Sequence, residues 1–364
     1  MHVRYYAPFR QRSGFGRAAD GYALAFGTTA LNVTYSSTST FEVLRADRDA
    51  DSVVIVHLPP ISAGKVGAAL ADSLHLGTQR PIKRIAMTTV ETLDVPDQVL
   101  SALACFDEIW VPSKVAQNAF LPPYRRRVHV VPHVAMEPII TEYTSPKHRP
   151  FRFYWIGAWD PRKNPAGIIS AFYRTFGTTE SVELHLLTNA DEVQRTTALA
   201  RTGFSITNGQ RNLRWYAPDN GRSIVEWLHM TGDCFVSAPY GEAWNLPAFE
   251  ALQHGRMIIT TKGIGSDQYL AGTNAIRIPA RPTPAQLGVD VRADEGELVF
   301  ETLGVEGQNV CQRWLDPDLI ALGLAMRRVF TARTRTIKAT YDPRARYSPA
   351  AIGKLMERRL TSFR

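Results

Sequence analysis

The stretch that decides the fold is Cys234–Gly255, which reads CFVSAPYGEAWNLPAFEALQHG in a chain of 364 residues. It opens with an apolar run, and Tyr240-Gly241 marks a tight turn ahead of a helix-like pattern. A second apolar run, RMIITT, follows at Arg256–Thr261. A strand, a loop, a helix and another buried strand in this order predict a parallel βαβ unit.

Two glutamates, Glu242 and Glu250, stand eight positions apart in this stretch. Glu242 falls in the loop at the carboxyl end of the predicted strand, where open α/β sheets bind ligands, and Glu250 about one turn inside the helix. The N–H groups at a helix start suit a diphosphate, and carboxylates accept hydrogen bonds from sugar hydroxyls. Two glutamates alone equally fit a helix cap and a helix-surface residue, but the whole segment favours a ligand that carries both sugar and phosphate.

The alternation of apolar runs and helix-like stretches extends in both directions from this unit. Runs typical of buried strands occur in two groups, at 53–58, 84–90, 108–113 and 128–133, and at 151–159 and 182–189. Three prolines within 136–150 indicate a linker between the groups, and 279–308 is expected to be an irregular insertion. Helical patterns return at 316–330 and 348–360. The second of these begins with a cap signal, Ser348 ahead of Pro349, and has an apolar stripe at Ile352, Leu355, Met356 and Leu360. The sequence therefore predicts two successive α/β halves.

The composition fits an ordinary globular protein, with 45% apolar and 21% charged residues, which argues against disorder and low-complexity arrays. The three cysteines, Cys105, Cys234 and Cys311, form no metal-type pair and favour a reducing compartment. We expect no leader peptide, no transmembrane helix and a cytoplasmic location.

The net charge of +8 is concentrated at one end of the sequence. Residues 324–364 carry eleven Lys or Arg and two Asp or Glu, so they account for the whole excess. Such a segment fits an anionic partner, either DNA or a phospholipid surface to which the protein would be peripheral, and it equally fits a solvated face that keeps the protein soluble.

Two further motifs place cations and glycines at predicted strand–helix turns. In FYWIGAWDPRKNPAGIISAF, 153–172, Arg162 and Lys163 lie in the loop between a strand and a helix, where they can neutralise a diphosphate. In SGFGRAADGYALAF, 13–26, Gly14 and Gly16 open a helix that also carries Arg17. A lone glycine pair also fits a simple turn.

Taken together, these motifs resemble the retaining glycosyltransferases of the GT-B fold, glycosyltransferase family 4 (group 1). The segment GEAWNLPAFEALQHGRMIIT, 241–260, matches the E-x7-E signature of that family. The resemblance implies two Rossmann-like domains whose parallel sheets face a central cleft, and a C-terminal helix that returns to the N-domain. It divides the chain into an acceptor-side domain at 1–140, a linker at 141–150, a nucleotide-sugar donor domain at 151–340 and a basic segment at 341–364.

The resemblance also implies roles for individual residues on the donor side. Glu242 would contact hydroxyls of the transferred sugar, Glu250 would hold the ribose, and Lys163 would neutralise the leaving diphosphate. Many members carry an arginine directly after the glycine of the second motif. Here that residue is Ala158, and we expect Arg162 to act in its place. Backbone groups are expected to approach the donor at Trp244, Asn245, Leu246, Gly14 and Gly16.

On the acceptor side we expect His57, Glu91 and Arg17, because they follow predicted strands or open a helix where a cleft would lie. His57 is the candidate to face the donor sugar, and His133 is expected to be structural. The predicted activity is metal-independent, retaining transfer of a hexose from a nucleotide-diphosphate sugar, such as UDP- or GDP-hexose, without a cofactor. The acceptor would be a lipid-linked or surface glycan or a hydroxylated DNA base. The alternative is a GT-B protein that binds nucleotide, sugar or polyanion without catalysis.

Overall fold

The chain forms two units, each built around its own sheet. The computed structural model describes residues 1–37, 52–75, 83–137, 149–177, 179–201, 212–218, 223–285 and 312–362. Unit 1 consists of Met1–Ala135, Pro284–Trp314 and Ala345–Arg364, and unit 2 of Met136–Thr283 and Leu315–Arg344. Most of the predicted linker and of the predicted insertion lies outside the described residues.

Unit 1 is a parallel sheet of six strands in the order β2-β1-β3-β4-β5-β6, with helices after β1, β3, β4 and β5. All six residues of β3, SVVIVH, are buried, as expected of a strand covered on both faces. Its strands and helices are β1 His2–Ala7, α1 Gly14–Phe26, β2 Asn32–Ser37, β3 Ser52–His57, α2 Pro60–His75, β4 Lys83–Met87, α3 Asp97–Ala102, β5 Glu108–Val111, α4 Lys114–Asn118, α5 Pro122–Arg125 and β6 Val128–Val130.

Unit 2 is a second parallel sheet of six strands, in the order β12-β11-β10-β7-β8-β9. Counted from β7, this is the strand order of a dinucleotide-binding Rossmann sheet. Its strands and helices are β7 Phe151–Ile156, α6 Pro165–Thr175, β8 Val182–Leu187, α7 Glu192–Arg201, β9 Leu213–Tyr216, α8 Ser223–Thr231, β10 Cys234–Ser237, α9 Leu246–Gln253, β11 Met257–Thr261, α10 Asp267–Leu270 and β12 Ile276–Ile278.

The remaining elements follow β12 in the sequence. A two-stranded sheet joins β13 to β14, and three helices come after it. These elements are β13 Ala280–Pro284, β14 Arg313–Pro317, α11 Leu319–Thr331, α12 Pro343–Arg346 and α13 Pro349–Thr361. In unit 2, α11 packs beside α6, and Leu322 and Met326 are fully buried in the core of that unit.

The C-terminal helix α13 packs against α1, the first helix of unit 1. Its predicted apolar stripe is buried at Ile352, Met356 and Leu360. At Gly353 a Cβ atom would lie 2.4 Å from the Ala25 carbonyl oxygen, so the absence of a side chain there lets the two helices approach closely. The expected parallel α/β units and the return of the last helix to the first of them are therefore confirmed.

A buried carboxylate fixes the end of α13. Glu108 accepts two hydrogen bonds from the Arg359 guanidinium, both at 2.9 Å, and one from Lys83 Nζ at 2.6 Å. Desolvation raises the pKa of Glu108, but the hydrogen bonds from Arg359, Lys83 and Trp110 outweigh it, and the pKa is lowered overall. One of the basic residues of the C-terminal segment is thus used to anchor the helix inside unit 1.

Candidate functional site

The strand order of unit 2 reverses between β7 and its neighbour β10, and this is where open α/β sheets bind ligands. The loop after β7 carries Arg162 and Lys163, and the loop after β10 carries Glu242. Both loops leave the carboxyl ends of adjacent parallel strands. The topology therefore brings together the donor-side residues that the sequence singled out in separate motifs.

The loop after β7 is shaped by Asn164, which adopts left-handed backbone angles with φ at 55°. Its side-chain oxygen accepts the Gly167 N–H at 3.1 Å and so caps α6, while its amide nitrogen donates to the Ala238 carbonyl at 3.1 Å. Ahead of it, a 3₁₀ turn spans Pro161–Lys163, and Asp160 accepts the Arg162 N–H at 2.8 Å. These contacts place both cations beside the loop that follows β10.

The loop after β10 is held by its neighbours on both sides. The Tyr240 N–H donates to the Arg162 carbonyl at 2.7 Å, and the Gly265 N–H donates to the Glu242 carbonyl at 2.7 Å. Gly265 lies so close to the backbone of this loop that a Cβ atom on it would be 1.9 Å from the Ala243 carbonyl oxygen. The position of the Glu242 backbone is therefore set from β7 and from β11 together.

The Glu242 carboxylate lies against two cations. Its Oε1 atom accepts a hydrogen bond from Lys163 Nζ at 2.7 Å and lies 3.4 Å from Arg162 Nη1. Arg162 Nη1 also donates to the Gly241 carbonyl at 2.6 Å. Burial raises the pKa of Glu242, but the charges of Lys163 and Arg162 outweigh it, so the pKa is lowered and the group is ionised at neutral pH. A second carboxylate, Asp160, lies at the more exposed side, with its Oδ2 atom 3.8 Å from Arg162 Nη2. This group of two cations and two carboxylates suits a ligand with hydroxyls and an anionic group.

The helix that follows Glu242 begins with a second left-handed asparagine. Asn245, with φ at 69°, accepts the Ala248 N–H at 3.4 Å as the cap of α9, and it donates to Ser237 Oγ at 3.1 Å. Its carbonyl accepts the Tyr269 hydroxyl at 3.0 Å. The N-terminus of α9, with the backbone of Leu246, therefore starts from a fixed position beside the carboxylate.

The side chain of Trp244 is buried in unit 2 and does not line the exposed side of the loop after β10. The indole is 2% exposed and packs against the rings of Phe249, at 5.1 Å between centroids, and Tyr269, at 4.9 Å. This large side chain is therefore accommodated by the interior of unit 2. Only the backbone of Trp244 is left to meet a ligand.

Glu250 lies within α9 and faces a histidine that sequence reasoning missed. Its Oε2 atom is 3.5 Å from Nε2 of His229, on α8, and the Glu250 side chain is 12% exposed. His229 in turn contacts the Tyr154 hydroxyl through Nδ1 at 3.1 Å. No signal in the sequence linked these residues, because they lie on β7, α8 and α9 and are joined only by the fold.

The sites expected in unit 1 fall at its own strand-order reversal, between β1 and β3. His57 ends β3, and its Nδ1 atom contacts the Tyr5 hydroxyl at 2.7 Å. The ring also lies 5.4 Å from that of Phe15, next to Gly14 and Gly16 at the start of α1. His57 is 1% exposed, so the structure places it at the predicted edge but within a packed aromatic cluster.

The other residues expected in unit 1 lie on the adjoining loops. A Cβ atom at Gly16 would lie 2.2 Å from the Gln11 carbonyl oxygen, so the chain's own loop fills the space beside this glycine. Arg17 is half-buried in the first turn of α1, and Glu91 is half-buried in the loop that follows β4. Their expected roles toward a donor or an acceptor stay predictions.

Burial keeps two histidines of unit 1 neutral. His133, the residue expected to be structural, contacts the Tyr22 hydroxyl at 3.0 Å through Nδ1. Desolvation lowers the pKa of His57, with a smaller effect from His133, and it lowers that of His133 too, each to about 3. An unfolded chain would protonate both near pH 6.5.

Acidification is therefore expected to destabilise the protein through this pair. Above about pH 6.5 both histidines are neutral in the folded and in the unfolded chain, so they do not lower stability. As the pH falls from about 6.5 toward 3, only the unfolded chain takes up the protons, and the free energy of unfolding falls. At about pH 4.5 each histidine that stays neutral in the folded protein lowers the free energy of unfolding by about 2–3 kcal/mol. Urea unfolding of the unchanged protein and of His133→Gln, at about pH 7.5 and about pH 4.5, measures the difference. Equal losses of stability on acidification in the two proteins would contradict the assignment.

Two classes of feature are absent from the part of the chain that the structure covers. Among the described residues, no group of three or more His, Cys, Asp or Glu side chains is arranged to hold a metal ion. Within the same ranges, no helix has the length and apolar character that crossing a membrane requires.

Comparison with solved structures identifies the fold. No family model matches the sequence, and no curated protein matches it either. The chain is similar over its full length to HepE from Anabaena, solved with UDP and glucose, at 11% identity, a TM-score of 0.64 and full coverage of both chains. It is also similar to the lipopolysaccharide outer core galactosyltransferase WaaB, at 12% identity, a TM-score of 0.59 and coverage of 100% and 99%. An E. coli trehalose-6-phosphate structure bound with UDP-2-fluoro glucose gives 10% identity, a TM-score of 0.60 and coverage of 100% and 99%. The fold is GT-B, with two Rossmann-like domains.

Proposed function

We propose that this protein is a glycosyltransferase that takes a hexose from a nucleotide-diphosphate sugar with retention of configuration and without a metal ion. The observation that carries the proposal is the contact of Glu242 with Lys163 and Arg162 at the strand-order reversal of unit 2. This position binds ligands in open α/β sheets, and the three groups match the hydroxyls and the diphosphate of such a donor.

The cations provide the main electrostatic stabilisation in the proposed reaction. As the bond from the anomeric carbon to the phosphate oxygen breaks, negative charge grows on the diphosphate, and Lys163 and Arg162 stabilise it. The acceptor oxygen forms its bond to the anomeric carbon on the same face, and its proton passes to the departing phosphate oxygen. In this scheme no protein carboxylate attacks the sugar, and Glu242 orients the sugar through its hydroxyls.

The donor is proposed as a UDP- or GDP-hexose, with UDP as the first choice to test. Two facts support that order: HepE was solved with UDP and with UDP-glucose, and the E. coli structure holds UDP-2-fluoro glucose. We propose that Glu250 holds the ribose, because it lies one turn into the helix that begins beside Glu242.

The acceptor is proposed to be a lipid-linked or surface glycan or a hydroxylated DNA base. In the C-terminal helix Lys354 and Arg358 are exposed, whereas Arg359 is paired with Glu108. The exposed cations suit an anionic acceptor or surface, either DNA or phospholipid. Binding to duplex DNA and to anionic vesicles at rising salt concentration separates these two classes.

The proposed activity is tested by nucleotide release from a panel of UDP- and GDP-hexoses, each with and without candidate acceptors. We expect release from at least one donor, by transfer to an acceptor or by slow hydrolysis. A Glu192→Gln variant, which changes an exposed carboxylate on α7, is expected to match the unchanged protein. If nucleotide binds but no donor is turned over with any acceptor or with water, the enzyme proposal fails and a binding protein of the same fold remains.

A further inference from the structure

The Glu250 carboxylate belongs to a buried chain of polar groups that reaches from β7 through α8 to α9. The Tyr154 hydroxyl contacts His229 Nδ1 at 3.1 Å, and His229 Nε2 lies 3.5 Å from Glu250 Oε2. Tyr154 and His229 are fully buried, whereas Glu250 keeps some exposure. The chain therefore runs from the interior of unit 2 to a carboxylate that can meet a ligand.

Each member of this chain is fixed by packing around it. A Cβ atom at Gly232 would lie 2.2 Å from the Tyr154 ring, so the backbone closes directly on the tyrosine. Arg256 donates to the His229 carbonyl at 2.6 Å and to the Met230 carbonyl at 2.8 Å, which holds the last turn of α8. The His229 ring stacks on that of His254 at 5.2 Å, with 12° between the ring planes. The imidazole therefore has little freedom to turn away from Glu250.

The protonation of His229 follows from these contacts. Burial lowers its pKa, and the effect exceeds that of the nearby Glu250 carboxylate, so the ring is neutral at pH 7. The Glu250 carboxylate can only accept, so the hydrogen of the neutral ring is assigned to Nε2, and Nδ1 then accepts from the Tyr154 O–H. On the other face, His254 Nε2 lies 3.2 Å from Glu226 Oε2, so the second carboxylate of the cluster has its own partner.

We infer that His229 is a positioning residue that holds the Glu250 carboxylate in the orientation that receives two ribose hydroxyls. The inference rests on the proposed function, in which Glu250 meets the ribose. His229 Nε2 attracts the carboxylate oxygen that lies 3.5 Å away, a separation longer than that of a normal hydrogen bond. The contact limits the rotation of the Glu250 side chain, so less conformational freedom is lost when a nucleotide binds. Tyr154 maintains the imidazole in the tautomer that this requires.

Unit 2 contains a second group of a tyrosine, a histidine and a glutamate, which serves as a matched control for Tyr154, His229 and Glu250. His185 contacts the Tyr216 hydroxyl through Nδ1 at 3.0 Å and Glu183 through Nε2 at 3.0 Å, which repeats the same three residue types on β8 and β9. It is buried like His229, at 2% exposure. His229→Phe and His185→Phe therefore remove the same polar atoms from two buried sites, and only the first adjoins Glu250.

The test compares the affinities of nucleoside diphosphates with those of their 2′-deoxy forms. UDP, GDP and ADP are titrated into the unchanged protein by calorimetry, and the nucleotide that binds is compared with its 2′-deoxy analogue. We expect the unchanged protein to prefer the ribose form by about tenfold or more, as the loss of a hydrogen bond to a charged group implies. In His229→Phe this ratio is expected to fall toward one, and in His185→Phe to stay unchanged.

The outcomes separate the two proposals. If the unchanged protein binds none of the nucleotides, or binds both forms equally, the proposed role of Glu250 fails. If it prefers the ribose form and His229→Phe keeps the same ratio, the positioning role fails although the proposed function stands. Tyr154→Phe, which removes only the hydroxyl, is expected to lower the ratio in the same direction, and it serves as the second variant if His229→Phe does not fold. An unchanged ratio in a folded Tyr154→Phe protein would also overturn the positioning role.

Discussion

Glu242→Ala is expected to lower the rate of sugar transfer by at least about a hundredfold while the protein stays folded. Under the proposed function the carboxylate orients the sugar through its hydroxyls, and loss of one group that acts in the transition state costs about 10²–10³ in rate. The substitution also leaves Lys163 and Arg162 without the charge that lies 2.7 Å and 3.4 Å from them. Both cations can still meet the diphosphate, but the carboxylate that places the sugar is gone.

The measurement is the rate of transfer at saturating donor, together with nucleotide affinity and thermal unfolding. Glu242→Gln keeps the shape of the side chain and is expected to lose most of the rate as well, since an amide cannot accept from hydroxyls through two charged oxygens. Glu192→Gln, an exposed change in the same unit, should leave the rate unaltered. Full turnover in a folded Glu242→Ala protein would remove this residue from the site.

Asp233→Ala is expected to reduce the free energy of unfolding by about 3–5 kcal/mol, as found when one partner of a buried ion pair is removed. Asp233 is 0% exposed and accepts two hydrogen bonds from the Arg149 guanidinium, at 2.7 Å and 2.8 Å. It also accepts the Arg152 N–H at 2.8 Å, at the start of β7. Its removal leaves the largely buried Arg149 charge and a backbone donor without that acceptor.

Denaturant unfolding measures this effect, and Arg335→Ala supplies the control. Arg335 contacts the same carboxylate at 3.1 Å, but its side chain is 46% exposed. An exposed member of an ion pair contributes about 0–1 kcal/mol, so its removal should change stability little. If Asp233→Ala were no more destabilising than Arg335→Ala, the buried cluster would not be a major source of stability in unit 2.

The parts of the fold that the sequence predicted are those whose signals are local. The run from β10 through α9 to β11 combines an apolar strand, a turn and a helix start within a single stretch, Cys234–Thr261. The C-terminal helix was predicted from a serine cap, and Ser348 does accept the Ala351 N–H at 3.2 Å. Strand ends were less well placed, since β6 covers Val128–Val130 whereas the apolar run continues to His133.

Strands with charged or polar residues escaped sequence reasoning. The strand β9, LRWY, contains Arg214, and β2, NVTYSS, has few apolar residues, so neither shows a continuous apolar run. The edge position of both strands explains this, because an edge strand has one neighbour and is less covered. Their place in the sheet follows from the fold of the whole unit and not from their own composition.

Within the candidate site, residue types were easier to predict than partners. The sequence indicated Glu242 and Lys163 from separate motifs, and their contact at 2.7 Å arises because β7 and β10 are neighbours in the sheet. The contacts of His229 with Glu250 and of Arg359 with Glu108 could not be predicted in this way, because each joins segments that lie far apart in the sequence. Charge counts likewise gave no sign that Arg359 serves the interior of unit 1.

The packing of α13 against α1 also bears on how the chain folds during synthesis. Every segment of unit 2 precedes Ala345 in the sequence. In unit 1, by contrast, the face of α1 that packs against α13 stays exposed until Pro349–Thr361 has left the ribosome. Since domains generally fold as units during translation, unit 2 can form its complete core before the last helix of unit 1 has been synthesised. Unit 1 is thus begun before unit 2 but completed after it, and a premature stop before Pro349 would leave the face of α1 that packs against α13 exposed in the nascent protein.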